Sequence, residues 1–360
     1  MNMINAVTLE VRKDKFSETR LVQESCDSEL APNEVLLRVD RLALTSNNIT
    51  YASVGDLLGY WNFFPAEQGW GRIPAMGWAN VAASAHPDIE VGERVWGFFP
   101  FTTHLKILAG NVKPNQFSDV SPHRAGYAPF YALFDRASTN AIYDQQREDH
   151  DSLLRGLFAT SWLVEDFLDV NDNYGASTCI ITSASSKTSV ALGHCVRRRG
   201  KLFCIGVTSP RNAPFCESLG LYDQVLTYDQ IGSLASKEQA VLVDMAGSAE
   251  TLSRVHHKLG DKLKYSCQVG GTHYDEAGVV EDIPGPKPEF FFAPTHMQTR
   301  GAQMGAAYLK QRDADYVDFR TASDDWMKIM YSKGPDEIVD TYKAVLAGSS
   351  SPDTGQIISI

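Results

Sequence analysis

Residues that could bind a phosphate group are concentrated between Ser177 and Asn212. An apolar run is followed by the polar turn SASSKTS (183–189), by an amphipathic run that stops at Gly200, and by a second apolar run. The pattern predicts a strand, a tight turn, a helix and another strand. In a parallel sheet such a unit presents its helix N-terminus, the positive end of the helix dipole, to an anion. We therefore expect an anion site in which hydroxyls and Lys187 lie at the start of the helix.

The turn is compatible with three interpretations. In a dinucleotide-binding turn glycines let the backbone approach a pyrophosphate, and here serine and alanine replace them. A degenerate P-loop would account for Lys187 and Thr188, but both glycines of the G-x-x-x-x-G-K pattern are missing and no companion magnesium-binding strand stands out. A plain tight turn whose nucleotide binding has decayed is the third interpretation.

A second cluster of interest is aromatic and lies between Asn47 and Gly71. Tyrosine, tryptophan and phenylalanine are concentrated there, beside the polar residues Asn48 and Tyr51. One interpretation is a rim of rings that only packs the domain. The other is the wall of a substrate pocket, in which Asn48 and Tyr51 supply polar groups to an apolar cleft.

The elements that would position the phosphate site alternate between strands and helices. Helical spacing over 153–168 is followed by apolar strand patterns at 178–182, 202–207, 223–228, 240–247 and 265–271. This alternation predicts an α/β fold with a doubly wound parallel sheet. Near the C-terminus, helical patterns cover 303–311 and 336–346, and a last strand is expected at 355–360.

The first part of the chain has a different pattern. Short strands are predicted at 31–45, 78–83, 91–99 and 104–108, separated by Gly and Pro, which favours a small, partly open β-barrel. The polar, acidic segment 144–151, within an insert at 130–152, is expected to be a surface excursion and not a site.

Composition and charge exclude some classes of function. The chain has 360 residues, 43% of them hydrophobic, which indicates two domains of ordinary globular type. The net charge of −11 argues against a nucleic-acid partner, and no apolar run is long enough to cross a membrane. The N-terminus lacks the apolar core of a secretory signal.

The cysteines and histidines do not suggest a metal site. Six cysteines, at 26, 179, 195, 204, 216 and 267, form no C-x-x-C pair, and most lie in apolar runs. We expect buried, reduced thiols and a cytoplasmic location. His256 and His257 are expected to be a half-exposed pair and not metal ligands.

Several motifs of the first domain resemble those of the medium-chain dehydrogenase/reductase superfamily. The segments are APNEVLLRV, LALTSNNITYA, GRIPAMGWANVAAS and VGERVWGF, in this order between residues 31 and 98. The resemblance implies a GroES-like barrel joined to a Rossmann domain. It further implies domains at 1–150 with 301–360, the discontinuous substrate domain, and at 151–300, the NADP-binding domain.

The zinc ligands of that superfamily have no counterpart in this sequence. Zinc-dependent members have a Cys in the segment corresponding to Thr45–Asn48, and Gly-His-Glu where this chain has Gly77-Trp78-Ala79. The four-cysteine lobe of the structural zinc is absent as well. The resemblance is therefore to the zinc-free, quinone-oxidoreductase-like members, within a little-characterised branch.

This resemblance implies an NADPH-dependent oxidoreductase that transfers hydride to a quinone, enone or related carbonyl. Dehydrogenases that use NAD have an acidic residue after the second strand, whereas Ser209-Pro-Arg-Asn212 offers a hydroxyl and a guanidinium to a 2′-phosphate, which favours NADP. Tyr51 is the candidate proton donor and Asn48 a candidate orienting group. The expected cofactor-binding residues are Ser185, Ser186, Lys187, Thr188, Ser209, Arg211, Asn212, Tyr228, Gly247 and Gly270.

Two further expectations come from the same resemblance. A homodimer would form through the segment around Phe290–Ala293, where relatives have an apolar strand. The alternative to an enzyme is a sensor or crystallin-like protein of the same fold that binds NADPH without turnover, and no pair of residues in the sequence separates the two.

Overall fold

The computed structural model describes residues 3–27, 29–234, 238–270 and 282–360. The chain divides into two compact units: the first combines Met1–Leu153 with Lys328–Ile360, and the second is Leu154–Met327. The sequence had placed the return to the first domain at residue 301. The later boundary has a physical reason, because His296, Arg300 and Tyr308 all bond to Asp166 of the second unit.

The strands are numbered in chain order. They are β1 Met3–Arg12, β2 Lys15–Asp27, β3 Glu34–Leu44, β4 Trp70–Gly71, β5 Pro74–Ser84, β6 Arg94–Pro100, β7 His104–Lys113, β8 Gln116–Asp119, β9 Leu133–Arg136, β10 Thr178–Ile181, β11 Phe203–Thr208, β12 Gln224–Thr227, β13 Ala240–Asp244, β14 Leu263–Gln268, β15 Glu289–Phe290, β16 Lys328–Lys333 and β17 Thr354–Ser359.

The helices are numbered in the same way, and short 3₁₀ turns connect several elements. They are α1 Ser46–Ser53, the single turn α2 Glu148–His150, α3 Gly156–Val170 preceded by a π-helical turn Asp151–Arg155, α4 Lys187–Arg199, α5 Ala213–Ser218, α6 Ala249–Leu259, α7 Ala293–Met304, α8 Ala306–Ala322 and α9 Pro335–Leu346.

The first unit contains the predicted barrel. Its strands are hydrogen-bonded in the order β3-β5-β6-β9-β8-β7, and pairing of β3 with β7 closes the ring. β17 and β16 continue the sheet from the other end of β3. Bulky side chains fill the interior, and Trp78, Phe98, Phe99 and Phe134 are all at most 1% exposed.

A separate antiparallel sheet, in the order β2-β1-β4, also belongs to the first unit. The sequence patterns did not predict β1 or β2. A carboxylate is buried on β1: Glu10 is 1% exposed and accepts hydrogen bonds from Arg20 and Arg72. Its charge is balanced by these two guanidiniums from β2 and from the segment before β5.

The second unit is built on the predicted parallel sheet. Its order is β12-β11-β10-β13-β14-β15, which is the 3-2-1-4-5-6 arrangement of dinucleotide-binding sheets. All four residues of β10 and all five of β13 are buried, as expected for central strands that are covered on both faces. The predicted α/β class is thus confirmed.

Helix α4 has well-defined ends, which the sequence indicated. Ser186 is its N-cap, and its hydroxyl accepts a hydrogen bond from the N–H of Ser189. Gly200 ends the helix with a φ of 69°, in the left-handed region where a side chain would add strain. The helix is therefore fixed in length, with its N-terminus at the carboxyl end of β10.

Two sequence predictions need correction here. Segment 144–151 is not a simple surface excursion, because Glu148 is 3% exposed and accepts hydrogen bonds from Arg94 and Tyr143. The helix expected at 303–311 is divided at Gly305, where α7 ends and α8 begins.

The five cysteines whose side chains are described, all except Cys26, are free and buried as predicted. Over the same described part of the chain, no helix is long and apolar enough to cross a membrane.

Candidate functional site

The candidate cofactor site lies at the carboxyl edge of the second unit's sheet. From β10 the chain connects to β11 on one side, and β13 pairs with β10 on the other. This change of direction is the topological switch point, where open α/β sheets bind their ligands. The loop 183–189 leaves β10 at this point and enters α4.

The loop is a tight turn held by backbone bonds. Ser183 has a φ of 49°, a left-handed conformation that usually favours glycine. The N–H of Ser186 donates to the carbonyl of Ser183 at 2.8 Å, and the N–H of Ala184 donates to Val207 of β11 at 3.0 Å. Serine thus adopts the conformation that a glycine would adopt in a glycine-rich turn.

The Ser186 hydroxyl forms its hydrogen bonds to Ser189, within the loop. It is 2.9 Å from the hydroxyl of Ser189 and also caps the N–H of Ser189 at 3.2 Å. The Ser189 hydroxyl in turn donates to the carbonyl of Thr182 at 3.0 Å. Because these bonds use the Ser186 hydroxyl, its direct contribution to an anion is smaller than the sequence suggested.

Ser185 connects the loop to the end of β11. Its hydroxyl accepts a hydrogen bond from the Asn212 side-chain amide at 3.0 Å and lies 3.2 Å from the hydroxyl of Thr208. Ser185 and Asn212, both predicted site residues, are therefore brought together. The bond fixes the loop 183–189 relative to the segment that follows β11.

Lys187 and Thr188 are the first two residues of α4, and both are half-buried. An α-helix has no intrahelical acceptor for the N–H groups of its first turn, so these groups can bind an anion. On the other side of this turn, the carbonyl of Thr188 accepts a hydrogen bond from Ser161 of α3 at 2.7 Å. This bond holds the start of α4 against α3.

The segment after β11 presents the other predicted groups. The carbonyl of Ser209 accepts hydrogen bonds from the N–H groups of Asn212 and Ala213, at 3.0 and 3.1 Å. Arg211 is exposed at the tip of this turn. Its guanidinium is therefore accessible to a ligand at the edge of the sheet.

The remaining predicted residues follow the other strands. Gly247 follows β13 and Gly270 follows β14, and a Cβ on Gly270 would lie 2.7 Å from the carbonyl oxygen of Met245. Glycine is therefore required at 270 by close backbone packing. Tyr228 follows β12, two strands away from β10, and packs partly buried against the hydrophobic core of this unit.

The sequence analysis did not identify the residues that hold the loop 183–189 in place. The Thr182 hydroxyl donates to Asp244 Oδ1 at 2.6 Å and accepts from the N–H groups of Met245 and Ala246. The buried Tyr222 donates to the carbonyl of Ala184 at 2.7 Å. The sequence signal for these residues is their position: Thr182 directly follows the buried strand β10, and Asp244 is the last residue of the buried strand β13.

In the first unit, Asn48 has a structural role at the start of α1. Its side-chain oxygen accepts from the backbone N–H of Thr45 at 2.7 Å, and its amide donates to the carbonyl of Pro74 at 2.8 Å. Thr45 and Asn48 form a capping box. One amide hydrogen of Asn48 remains for another partner.

Tyr51 belongs to a cluster of rings, which we call the aromatic cluster. Its members are Tyr51, Tyr60, Phe63, Phe64, Phe98, Tyr127 and Tyr131. The ring of Tyr51 lies 4.7 Å from that of Tyr60 and 5.4 Å from that of Phe98. Burial, together with the nearby Tyr131, raises the pKa of Tyr51 well above its ordinary value, so its phenol stays protonated at neutral pH.

The tyrosine hydroxyls of the aromatic cluster are partly bonded to one another. Tyr60 and Tyr131 share a hydrogen bond of 3.0 Å, and Tyr127 accepts one from Asn62 at 2.6 Å. Among the residues with described positions, no group of three or more His, Cys, Asp or Glu could hold a metal ion.

The chain belongs to a family described as a protein of unknown function (DUF2855), whose model matches residues 42–351. A comparison with curated proteins gives no match.

Solved structures share the fold at low sequence identity. CurA from Vibrio vulnificus in complex with NADPH is 13% identical with a TM-score of 0.62, and the match covers 95% of this chain and 94% of that one. A provisionally assigned NADPH:quinone reductase from Mesorhizobium loti is 13% identical over 100% of both chains, with a TM-score of 0.64. The mitochondrial 2-enoyl thioester reductase heterodimer from Candida tropicalis is 14% identical, covers 99% and 100%, and has a TM-score of 0.55. This chain therefore shares the fold of these solved structures.

Proposed function

We propose that this protein is an NADPH-dependent oxidoreductase that reduces a quinone, an enone or a related carbonyl compound without zinc. One observation carries the proposal: the start of α4 opens at the switch point of a 3-2-1-4-5-6 sheet, with Arg211 on the adjacent turn. A helix N-terminus and a guanidinium at neighbouring strand ends suit the two phosphate groups of NADPH. The complex of the Vibrio protein with NADPH supports this choice.

The residues of the loop fit a pyrophosphate although they are not glycines. The N–H groups of Lys187 and Thr188, with the Lys187 ammonium, would bind the phosphate oxygens. Ser185 and Ser186 would hold the loop in shape through the bonds to Asn212 and Ser189. Serine can replace glycine in this loop because Ser183 itself adopts the left-handed conformation that the turn needs at this position.

The 2′-phosphate would be bound after β11. We propose Arg211 as its main partner, with Ser209 and Asn212 as hydrogen-bonding neighbours and Tyr228 at the end of the next strand. Gly247 and Gly270 would allow the cofactor to pass close to the ends of β13 and β14.

The substrate would be recognised by the aromatic cluster of the first unit, which we propose to be a GroES-like barrel. Planar, electron-poor compounds such as quinones stack favourably on rings. The bound nicotinamide would supply the hydride. The protonated Tyr51 would donate a hydrogen bond to the oxygen on which charge develops, and Asn48 would position α1, which carries Tyr51.

Substitution of Arg211 tests the cofactor assignment. Arg211→Ala should weaken NADPH by about 1.5–3 kcal/mol, or ten- to a hundredfold, and leave NADH almost unchanged. Titration followed by nicotinamide fluorescence measures both affinities. Arg254→Ala, another surface arginine of the same unit, is the control and should bind both cofactors like the wild type. Equal losses for NADPH and NADH in Arg211→Ala would refute the assignment.

Substitution of Tyr51 tests the catalytic assignment. A panel of quinones and enones, followed at the NADPH absorbance band, first identifies a substrate. Tyr51→Phe keeps the ring packing against Tyr60 and Phe98 and should lower kcat by roughly ten- to a hundredfold with little change in NADPH affinity. Full turnover by this variant would exclude the role. Turnover unchanged by EDTA is expected for the zinc-free reaction.

A second candidate function is NADPH binding without turnover, as in a sensor or a crystallin-like protein. It is favoured by one observation: the side-chain oxygen of Asn48 is engaged in the capping box, and one of its two amide hydrogens in the bond to the carbonyl of Pro74. Saturable NADPH binding with no oxidation of NADPH across the substrate panel would select this function.

The segment around Phe290–Ala293 remains our proposed homodimer contact. β15 is an edge strand of the second unit's sheet, and Phe290 is 53% exposed. A molar mass in solution that falls to that of one chain on Phe290→Lys would support it, whereas a wild-type protein already monomeric would exclude it.

A further inference from the structure

A cavity that the proposed cofactor site does not use lies among the helices of the second unit. It has a volume of about 550 Å³ and is lined by α3, α4, α7 and α8. This size is within the range of pockets that bind small molecules. On α4 its lining residues are His194, Cys195, Arg198 and Arg199, all in the second half of the helix. At about 1.5 Å per residue, roughly 16 Å of helix separates Arg198 from Lys187.

Most charged groups of this cavity are already paired. Arg199 donates to both oxygens of Glu165, at 2.7 and 2.6 Å. Arg300 binds both oxygens of Asp166. Asp315 accepts from the indole N–H of Trp162 at 2.9 Å. These groups form fixed walls.

His194 and Arg198 differ from the other polar groups. Among the described residues, none bonds to His194 Nε2, although this atom is buried. Arg198 is 42% exposed and forms its ion pairs through the single nitrogen Nη1, with Asp315 at 2.6 Å and with Asp318 at 3.4 Å. Arg199 binds the two oxygens of Glu165 through two nitrogens, whereas Arg198 makes no such bidentate pair. The two residues are four positions apart and so lie on one face of α4.

A buried nitrogen with no hydrogen-bond partner is costly, and a ligand that bonds to it removes that cost. Burial and the nearby Arg198 lower the pKa of His194, so its ring is neutral near pH 7 and can donate one hydrogen bond. Arg198 can offer its fork-shaped edge to a carboxylate. Rings of Phe158, Trp162 and Tyr308 line the same cavity and suit an apolar body.

We propose that this cavity is a second ligand site, which binds a small monocarboxylate with an aromatic or apolar body between His194 and Arg198. The lining contains four carboxylates, Glu165, Asp166, Asp169 and Asp315, and three guanidiniums. This balance disfavours a ligand with several negative charges. A single carboxylate on the Nε–Nη2 edge of Arg198, which the ion pairs through Nη1 leave open, with its ring system against Phe158 and Trp162, satisfies the open nitrogen of His194.

Calorimetric titration of the full-length protein with 2-naphthoate tests the proposal, with neutral 2-naphthamide as the matched ligand. Naphthoate should bind at one site and at least about tenfold more tightly than the amide, because a charge-assisted bond is worth more than a neutral one. Saturation with NADPH should not displace it. Absence of naphthoate binding, equal binding of the amide, or competition with NADPH would overturn the proposal.

Variants locate the site. Arg198→Gln should weaken naphthoate roughly ten- to a hundredfold, and Arg198→Lys should fall between it and the wild type. Arg197→Gln, the exposed neighbour on the same helix, is the control and should stay within about twofold. An equal effect of the substitutions at 197 and 198 would refute the assignment.

His194→Phe separates binding from folding. The variant keeps a ring beside Phe319, whose centroid lies 5.2 Å from that of His194, and removes the open nitrogen. Without ligand its unfolding temperature should equal or exceed that of the wild type, whereas naphthoate affinity should fall about fivefold or more. Unchanged affinity in a folded His194→Phe protein would contradict the role of His194.

Discussion

The N-terminal end of α4 differs from its C-terminal end in what is left to meet a ligand. At the N-terminal end the hydroxyls of Ser185 and Ser186 bond to neighbouring groups, and the N–H groups of Lys187 and Thr188 have no acceptor within the helix. Near the C-terminal end the backbone is fully helical, and side chains face the ligand: His194 Nε2 has no partner among the described residues, and Arg198 forms its ion pairs through Nη1 alone. One helix would thus offer two proposed sites, one built from backbone groups at its start and one built from side chains near its end.

This difference has consequences for mutation. A site built from backbone groups depends on the residues that hold the backbone in place, so its side chains matter mostly for loop stability. A site built from side chains loses affinity directly when those side chains change. The following predictions are ordered by the size of the expected effect.

The largest effect on stability is expected at Asp244, the last residue of β13, which bonds to Thr182 just before the loop. Asp244→Ala removes the acceptor of the Thr182 hydroxyl and of the Gly247 N–H. Each buried donor left without a partner costs about 1–3 kcal/mol, so the free energy of unfolding should fall by about 3 kcal/mol or more. Asp244→Asn keeps a carbonyl oxygen and should lose less. Urea denaturation measures both, and the exposed Asp261→Ala should change stability by less than about 0.5 kcal/mol. A loss in Asp244→Ala no greater than in this control would show that the backbone-built end does not depend on Asp244.

The second-largest effect on stability is expected at Asp166, which lines the cavity between α3, α4, α7 and α8. Burial alone would raise the pKa of Asp166, but hydrogen bonds from His296, Arg300 and Tyr308 lower it to about 2, from 3.8 in the unfolded chain. A lowered pKa stabilises the fold above the unfolded value, and this stabilisation is lost as the pH falls through about 4 toward 2. At pH 7, Asp166→Asn should therefore be less stable by about 2 kcal/mol.

The pH dependence provides the check on this prediction. The stability difference between the wild type and Asp166→Asn, measured by urea denaturation from pH 7 downward, should shrink below about pH 4. Asp261→Asn on the surface should show no such trend. A difference that stays constant with pH would mean that the charge of Asp166 does not stabilise the wall.

The smallest effect is expected at Ser186 and separates capping from ligand binding. Ser186→Ala removes the N-cap of α4 and should cost about 1 kcal/mol of stability, with little change in NADPH affinity. Ser186→Asp keeps a capping oxygen and should be at least as stable as the wild type, but its charge should weaken NADPH severalfold by repelling phosphate. Thermal denaturation and fluorescence titration measure the two quantities. Parallel changes of stability and affinity in both variants would argue against a phosphate at this end of α4.

Much of the second unit was predictable from local patterns. The apolar runs around Ile180, Ile205 and Leu242 predicted central strands because both faces of a parallel sheet are buried. Gly200 marked the C-terminal end of α4. The loop 183–189 could be placed because its polar residues directly follow the first of these strands.

Other features could not be predicted, because they depend on residues far apart in the chain. β2 carries five charged residues, and Glu10 of β1 is buried only because Arg20 and Arg72 meet it there. Glu148 is buried for the same reason, through Arg94. His256, expected to be half-exposed, is fully buried and bonded to Ser266 and the carbonyl of Pro284.

The sequence by itself determined the strand-turn-helix unit and which polar residues lie at its start, because hydrophobic periodicity and capping residues act over a few positions. Only the tertiary structure decided how the hydroxyls of that turn are used, since Ser185 finds Asn212 and Ser189 finds Thr182 through folding. It also decided that His194 and Arg198 share a cavity with α3, α7 and α8. Polar atoms are satisfied by whichever partners the packing brings within reach, and local sequence does not specify those partners.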